Sequence, residues 1–144
     1  MLRANPWQSY KQVAAQTATP GHLVLMLYEG AIRFLDRSLT GFGMDDPAEC
    51  NATISNNVMR AQDILHELDN SLNIEAGGSL AETLRSLYQY FDRRLTESNL
   101  RKTEDGIREV IQHLGVLRDA WSGMLQGEGA ATAAVSQPLS RPAA

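Results

Sequence analysis

Residues 17–36 read TATPGHLVLMLYEGAIRFLD, and this stretch decides the fold class. Thr19 is suited to cap a helix, and Pro20 follows at the first helical position, where a missing N–H costs nothing. At about 100° per residue, the apolar side chains of this helix cover roughly 200° of its circumference. A helix that rests one face on a core needs a stripe only somewhat wider than about 100°. We therefore expect this helix to lie at the centre of the fold or to be covered by a further element.

Apolar residues continue at helical spacing along most of the chain. The periodicity and the capping signals predict four amphipathic helices, over 19–40, 46–72, 79–98 and 103–125. A turn at Gly77 and Gly78 is expected to separate the second helix from the third. Short links force successive helices to run antiparallel. The sequence therefore predicts an all-α fold, an antiparallel up-down-up-down four-helix bundle over residues 17–126.

The two ends of the chain differ from the bundle. Within residues 1–16, Trp7, Tyr10 and Val13 recur three apart, which predicts a short amphipathic capping segment. Such a segment is either packed permanently on the bundle or a detachable cover over an apolar groove. Residues 127–144 are rich in Gly, Ala, Ser and Pro and have no large apolar pattern, which predicts a disordered tail.

Composition and charge exclude several classes of protein. The chain has 144 residues, a formal net charge of -4 and no basic stripe, so we expect no nucleic-acid binding. Its longest apolar run, residues 23–28, is far shorter than the roughly 20 residues of a membrane span, and no secretory signal opens the chain. The single cysteine, Cys50, cannot form an internal disulfide, which suits a reducing compartment. We therefore expect a cytoplasmic protein without membrane insertion.

No group of residues predicts catalysis or a cofactor. A two-metal site in a bundle needs Glu-x-x-His on each of two helices and further glutamates that point inward. This chain offers Asp63-x-x-His66 and, four residues apart, Glu109 and His113, without the inward glutamates. It also lacks a Gly-x-Ser-x-Gly elbow and a glycine-rich phosphate loop. We therefore expect neither an enzyme nor a metal site.

Binding is indicated instead by apolar residues outside the predicted seams of the bundle. Any one of them is explained at least as well as an ordinary exposed apolar residue, but together they suggest grooves that accept an amphipathic helix from a partner. The predicted partner-binding set, including the N-terminal cover, is Tyr10, Val13, Leu25, Tyr28, Ile32, Met59, Tyr90 and Val116.

An ordered series of short motifs carries a family resemblance. The series runs Tyr10, TATP at 17–20, MLYEGAI at 26–32, AQDI at 61–64, Leu84 with LY at 87–88, and LR with AW at 117–121. Over residues 8–125 the chain resembles the FliS family, the flagellin export chaperones.

The resemblance implies a function and a partner. Such chaperones bind the disordered C-terminal segment of flagellin, prevent its polymerisation in the cytoplasm and present it to the flagellar type III export gate. The segment folds into helices on the chaperone as it binds. The resemblance also implies that the N-terminal segment lies over the bundle and gives way to flagellin. From the residues alone, a regulatory scaffold or a homodimer formed through the surplus apolar surface of the first helix is the alternative.

Overall fold

A computed structural model describes residues 20–135, with side chains through residue 127. The four helices are α1 (Pro20–Gly41), α2 (Pro47–Asn70), α3 (Ile74–Arg101) and α4 (Asp105–Val135), and the described range contains no strand. Both ends of α1 and α2 and the start of α4 lie within two residues of the predicted bounds. The predicted capping segment 1–16, with Tyr10 and Val13, lies outside the described residues.

Consecutive helices run antiparallel and form a ring in which each helix packs on two neighbours. Contacts between α2 and α3 show the direction: Ser55 donates to Asn99 at 3.0 Å, whereas Asp69, further along α2, pairs with Arg85, earlier on α3, at 3.0 Å. The ring closes between α4 and α1. This is the predicted up-down-up-down bundle, and the prediction of an all-α fold is confirmed.

The core lies along the axis of the bundle and receives side chains from all four helices. The wide apolar arc of α1 is divided between buried positions, such as Leu27 and Leu35, and half-buried positions that pack against the core, such as Ile32 and Phe34. The core cluster is Leu27, Tyr28, Ala31, Leu35, Ile54, Val58, Ala61, Ile64, Leu65, Leu68, Tyr88, Phe91, Leu95, Ile107, Val110 and Leu114. None of the helices in the described range is long and apolar enough to cross a lipid bilayer.

The start of α3 differs from the prediction. The helix begins at Ile74 rather than at residue 79, because the side chain of Asn73 accepts a hydrogen bond from the backbone N–H of Ala76 at 3.1 Å and so caps the first turn. The break in helical geometry lies at the glycine pair, where a short helical turn from Ile74 meets the main part of α3. Gly78 adopts φ 56° and ψ -132°, a conformation with positive φ that glycine accepts without strain, and it produces the kink between these two parts of α3.

The end of α4 also differs from the prediction. The helix continues to Val135, ten residues beyond the predicted end at 125, so the first part of the predicted disordered tail is helical. Alanine is the strongest helix former, and four alanines between residues 130 and 134 favour the continuation. The rest of the predicted tail, residues 136–144, lies outside the described residues.

Gly106 permits a close approach of α4 to α3. A Cβ atom at this position would lie 2.9 Å from the carbonyl oxygen of Arg94 and even closer to the hydroxyl of Ser98. Ser98 is itself buried, with 1% of its surface exposed. A residue with a side chain at 106 would therefore push the two helices apart.

Candidate functional site

An apolar cleft of about 360 Å³ opens at the end of the bundle where α1 and α3 begin. Val24 and Tyr28 line it from α1, Leu80, Leu84 and Tyr88 from α3, and Trp121 from α4; the end of α2 completes it. The described residues that line this cleft include no charged side chain. An uncharged concave surface of this kind binds apolar side chains rather than ions.

The sequence of α3 explains why the cleft is open. Its first turns carry small residues, Ala76, Gly77 and Ala81, which leave space between α3 and α1. Larger residues stand around that space. Leu80 lies at the rim with 65% of its surface exposed, and Leu84 is half-buried against the core. Among the described residues, nothing covers the apolar surface of Leu80 at the rim.

Trp121 holds the wall of the cleft against the start of α1. Its indole Nε1–H donates to the carbonyl oxygen of Gly21 at 2.8 Å, a contact between residues 100 positions apart in the sequence. Leu125, one turn later on α4, packs against the same residue, since a Cβ on Gly21 would lie 2.6 Å from Leu125 Cδ2. These two contacts fix the first turn of α1 on α4.

Two tyrosines, named here the tyrosine pair, form the floor of the cleft. The hydroxyls of Tyr28 and Tyr88 are hydrogen-bonded at 2.5 Å, and the two side chains are 2% and 3% exposed. Burial raises the pKa of Tyr28, and burial together with the neighbouring Tyr28 raises the pKa of Tyr88. Both hydroxyls are therefore neutral at physiological pH and satisfied by each other. The floor offers no nucleophile or general base.

A polar cluster lies between α3 and α4. Tyr90 donates its hydroxyl hydrogen to Glu109 Oε2, and Arg94 donates from Nε to Glu109 Oε1 at 2.8 Å. The hydrogen bond from Tyr90 and then the one from Arg94 hold the pKa of Glu109 below its usual range. His113 stacks on Phe91 with the ring centroids 5.7 Å apart. These contacts join two helices; among the described residues no group of three or more His, Cys, Asp or Glu is arranged to hold a metal ion.

Comparison with known proteins identifies the family. Residues 3–128 match the family model described as "Flagellar protein FliS". The chain belongs to the FliS family. This confirms the resemblance found in the motifs of residues 8–125 and extends it at both ends.

Curated relatives of this FliS-family chain align along most of their length. The chain is 34% identical over 128 residues to the flagellar secretion chaperone FliS of Bacillus subtilis, which covers 89% of this chain and 92% of that protein. It is 34% identical over 115 residues to that of Campylobacter jejuni, covering 80% and 87%. The protein of the same name from Salmonella typhimurium is 32% identical over 126 residues, covering 84% and 90%.

The predicted binding residues on α1 of this FliS-family chain take different positions. Tyr28 lines the cleft, but as part of its buried floor. Ile32 is half-buried and packs against the core, and Leu25 is half-buried as well. Only Tyr28 among these three is placed at the cleft, and a role of any of them in partner binding stays a prediction.

The other predicted residues lie on the outer faces of the remaining helices. Met59 on α2 and Val116 on α4 are 50% and 64% exposed, whereas the hydroxyl of Tyr90 on α3 is engaged by Glu109. None of the three lines the cleft. Whether they contact a partner also stays a prediction.

Apart from Tyr28, the predicted binding set does not contain the residues that build the cleft. Leu80, Leu84 and Trp121 fall at the helical spacing of the apolar stripes of α3 and α4, which predicts a place in the seams of the bundle. One signal in the sequence could have pointed to the cleft, namely the position of Trp121 near the end of the apolar stripe of α4. So large a side chain at the end of a bundle has few neighbours to fill the space around it.

Proposed function

We propose that this chain is a cytoplasmic export chaperone for flagellin. In this proposal it binds the disordered C-terminal segment of flagellin, prevents premature polymerisation and delivers the segment to the flagellar type III export apparatus. Membership of the FliS family supports the proposal, as do relatives named flagellar secretion chaperones. The single observation of the structure that carries it is the uncharged apolar cleft with Leu80 at its rim.

The physical basis is folding of the client on the surface of the chaperone. An amphipathic segment that forms a helix places apolar side chains at intervals of three and four residues, and these enter the cleft. Burial of one leucine-sized side chain stabilises the complex by about 1.5–3 kcal/mol. A cleft of about 360 Å³ has room for a few such side chains. Micromolar affinity corresponds to about 8 kcal/mol after the cost of ordering the segment, so the cleft is an anchor and further contacts outside it contribute.

The proposal requires no nucleotide, metal or catalytic group. The tyrosine pair is neutral, and the described lining carries no charge, so binding is driven by apolar burial. We propose further that residues 1–16, which contain Tyr10 and Val13, cover the cleft in the free protein and are displaced by flagellin. Release follows when the export apparatus takes over the segment.

The test is a calorimetric titration of the full chain with the C-terminal segment of flagellin from the same organism. We expect submicromolar binding, a negative heat-capacity change and an increase in helical circular dichroism. Leu80→Glu places a charge at the rim and should weaken binding about tenfold or more, because roughly 1.5 kcal/mol of apolar contact is lost. Leu100→Glu is the matched control, since the same change on the same helix affects a residue that is 80% exposed and outside the cleft.

Three results would contradict the proposal: no binding by an intact segment, equal weakening in both variants, or no effect of either. The homodimer alternative is examined by measuring the mass in solution with and without the segment. A dimer of the free protein that Leu80→Glu dissociates, and that flagellin leaves intact, would assign the cleft to self-association instead.

A further inference from the structure

The parts of α3 on either side of the kink at Gly78 both line the cleft. The first turn of the helix, residues 74–77, contributes Ala76 to the lining. The main part of the helix contributes Leu80 and Leu84. The angle between the two parts of α3 therefore determines the distance between two sides of the cleft.

The backbone at the kink requires glycine at position 78. The angles φ 56° and ψ -132° of Gly78 are close to those of the first central residue of a type II′ turn, which is almost always glycine. A residue with a side chain is strained in this conformation. A Cβ atom on Gly78 would meet nothing within 4 Å, so the backbone angles, and not a lack of space, exclude other residues.

Gly77 is required for a different reason. A Cβ atom on Gly77 would lie 2.7 Å from the Cβ of Ala81, which is closer than two such atoms approach. In a regular helix the Cβ atoms of residues four apart are about 5–6 Å apart. The kink therefore folds the first turn of α3 against the main part of the helix, and Gly77 leaves the space for this contact.

Local hydrogen bonds hold the first turn of α3 together. The backbone N–H of Ala76 donates to Asn73 Oδ1 at 3.1 Å, and that of Gly77 donates to the carbonyl oxygen of Asn73 at 2.7 Å. Both bonds stay within the turn, so neither fixes where the turn lies on the bundle. Residues 75–80 are all exposed, so few buried contacts fix it either. The position of the turn therefore depends on the two glycines.

We propose that Gly77 and Gly78 are positioning residues for partner binding, which hold the first turn of α3 as one side of the cleft. Because Ala76 and Gly77 carry almost no side chain, an apolar side chain of the partner packs against the backbone of the turn at this side. As a statement about the partner the inference rests on the function proposed above. As a statement about the shape of the cleft it does not.

The shape of the cleft is tested first, without a partner, through the fluorescence of Trp121. This residue lines the cleft, and Trp7→Phe leaves it as the single tryptophan of the full chain. In that background, Gly77→Ala and Gly78→Ala should each increase the quenching of Trp121 by acrylamide and shift its emission to longer wavelength. The reason is that one side of the cleft moves away and admits water.

Gly115→Ala is the matched control. It makes the same chemical change in α4, where the new Cβ meets Arg118 Nη2 at 3.9 Å, an ordinary contact, and it lies outside the cleft. Quenching and emission of Trp121 should stay as in the parent protein. Helical circular dichroism of all variants checks that the bundle is intact.

Partner binding is tested by calorimetric titration of the same variants with the C-terminal segment of flagellin. Gly77→Ala and Gly78→Ala should each bind about fourfold more weakly or worse, the effect of losing a contact of one methylene group. Gly77→Ala/Ala81→Gly removes the overlap of the two Cβ atoms and should bind within about twofold of the parent protein. A general loss of stability would not be rescued in this way.

The inference about the cleft is overturned if Trp121 behaves in Gly77→Ala and Gly78→Ala as it does in Gly115→Ala. It is also overturned if both variants lose the helix content of the whole bundle, since the glycines would then be needed for the fold. The positioning role is overturned if a segment that binds the parent protein binds both variants equally well, or if Ala81→Gly does not rescue Gly77→Ala. A segment that fails to bind the parent protein contradicts the proposed function, whereas the fluorescence of Trp121 still decides the inference about the cleft.

Discussion

Removal of one hydroxyl from the tyrosine pair should destabilise the protein more than removal of both. In Tyr28→Phe the hydroxyl of Tyr88 stays buried, with 3% of the residue exposed, and loses its partner. An unsatisfied buried hydroxyl costs about 1–3 kcal/mol, and Tyr88→Phe should cost a similar amount for the same reason. The double variant leaves no polar group without a partner and keeps both rings, so it should lie within about 1 kcal/mol of the parent protein. The two changes should therefore couple favourably by at least about 1 kcal/mol.

The assay is urea unfolding followed by far-ultraviolet circular dichroism on all three variants. With a slope of about 2 kcal/mol per M, a loss of 2 kcal/mol moves the midpoint by about 1 M urea. Tyr90→Phe is the control, since it removes a tyrosine hydroxyl without leaving a buried polar group unpaired. Tyr90 is 36% exposed, and Glu109 still accepts the hydrogen bond from Arg94. Single variants as stable as the double variant would refute the reasoning and show that water from the cleft reaches the floor. Additive losses in the double variant would refute the coupling.

Two further predictions concern pH and the contact of α3 with α4. Burial raises the pKa of both members of the tyrosine pair, so above about pH 10 the folded state keeps protons that unfolded tyrosines lose. The free energy of unfolding should therefore fall as pH rises above about 10, by at most about 1.4 kcal/mol per pH unit for each tyrosine. The fall should be less steep in the double phenylalanine variant, which lacks both groups. Urea titrations between pH 9 and 11 measure this slope. Gly106→Ala should lower the free energy of unfolding by about 1–3 kcal/mol, because the new Cβ is overpacked against Arg94. Gly123→Ala should raise it by about 0.5–1 kcal/mol, because nothing lies within 4 Å of the new Cβ and alanine favours helix. Equal urea midpoints for the two variants would contradict this.

The architecture could be predicted because it depends on local signals that repeat along the chain. Apolar spacing places most helix ends within a few residues, and short links determine the direction of each helix. The errors arose where two local signals compete. At the start of α3 the glycine pair indicated the break that Gly78 makes, but not the additional helical turn that Asn73 caps before it. After residue 125 the glycines suggested disorder, but the alanines favour helix.

The cleft could not be predicted, because it depends on packing between helices distant in sequence. Periodicity assigned Leu84 and Trp121 to a seam, but it does not show which seam residues lack a neighbour across the bundle. That depends on the small residues Ala76, Gly77 and Ala81 at the start of α3, which line the cleft. Tyr90 illustrates the opposite case: it looked like a free apolar residue, but its hydroxyl is engaged by Glu109, nineteen positions away.

The hydrogen bond from Trp121 to Gly21 also bears on the order in which the cleft is assembled during synthesis of the chain. One wall of the cleft comes from α4, the last of the described helices to be synthesised, whereas the opposite wall comes from α1, the first of them. The extensive contacts of α1 with α2 are local and form early, but closure of the ring joins residues 100 positions apart. A nascent chain that ends before α4 therefore lacks one wall of the cleft and the hydrogen bond that holds it. The cleft therefore forms only after Trp121 has been synthesised and α4 can meet α1.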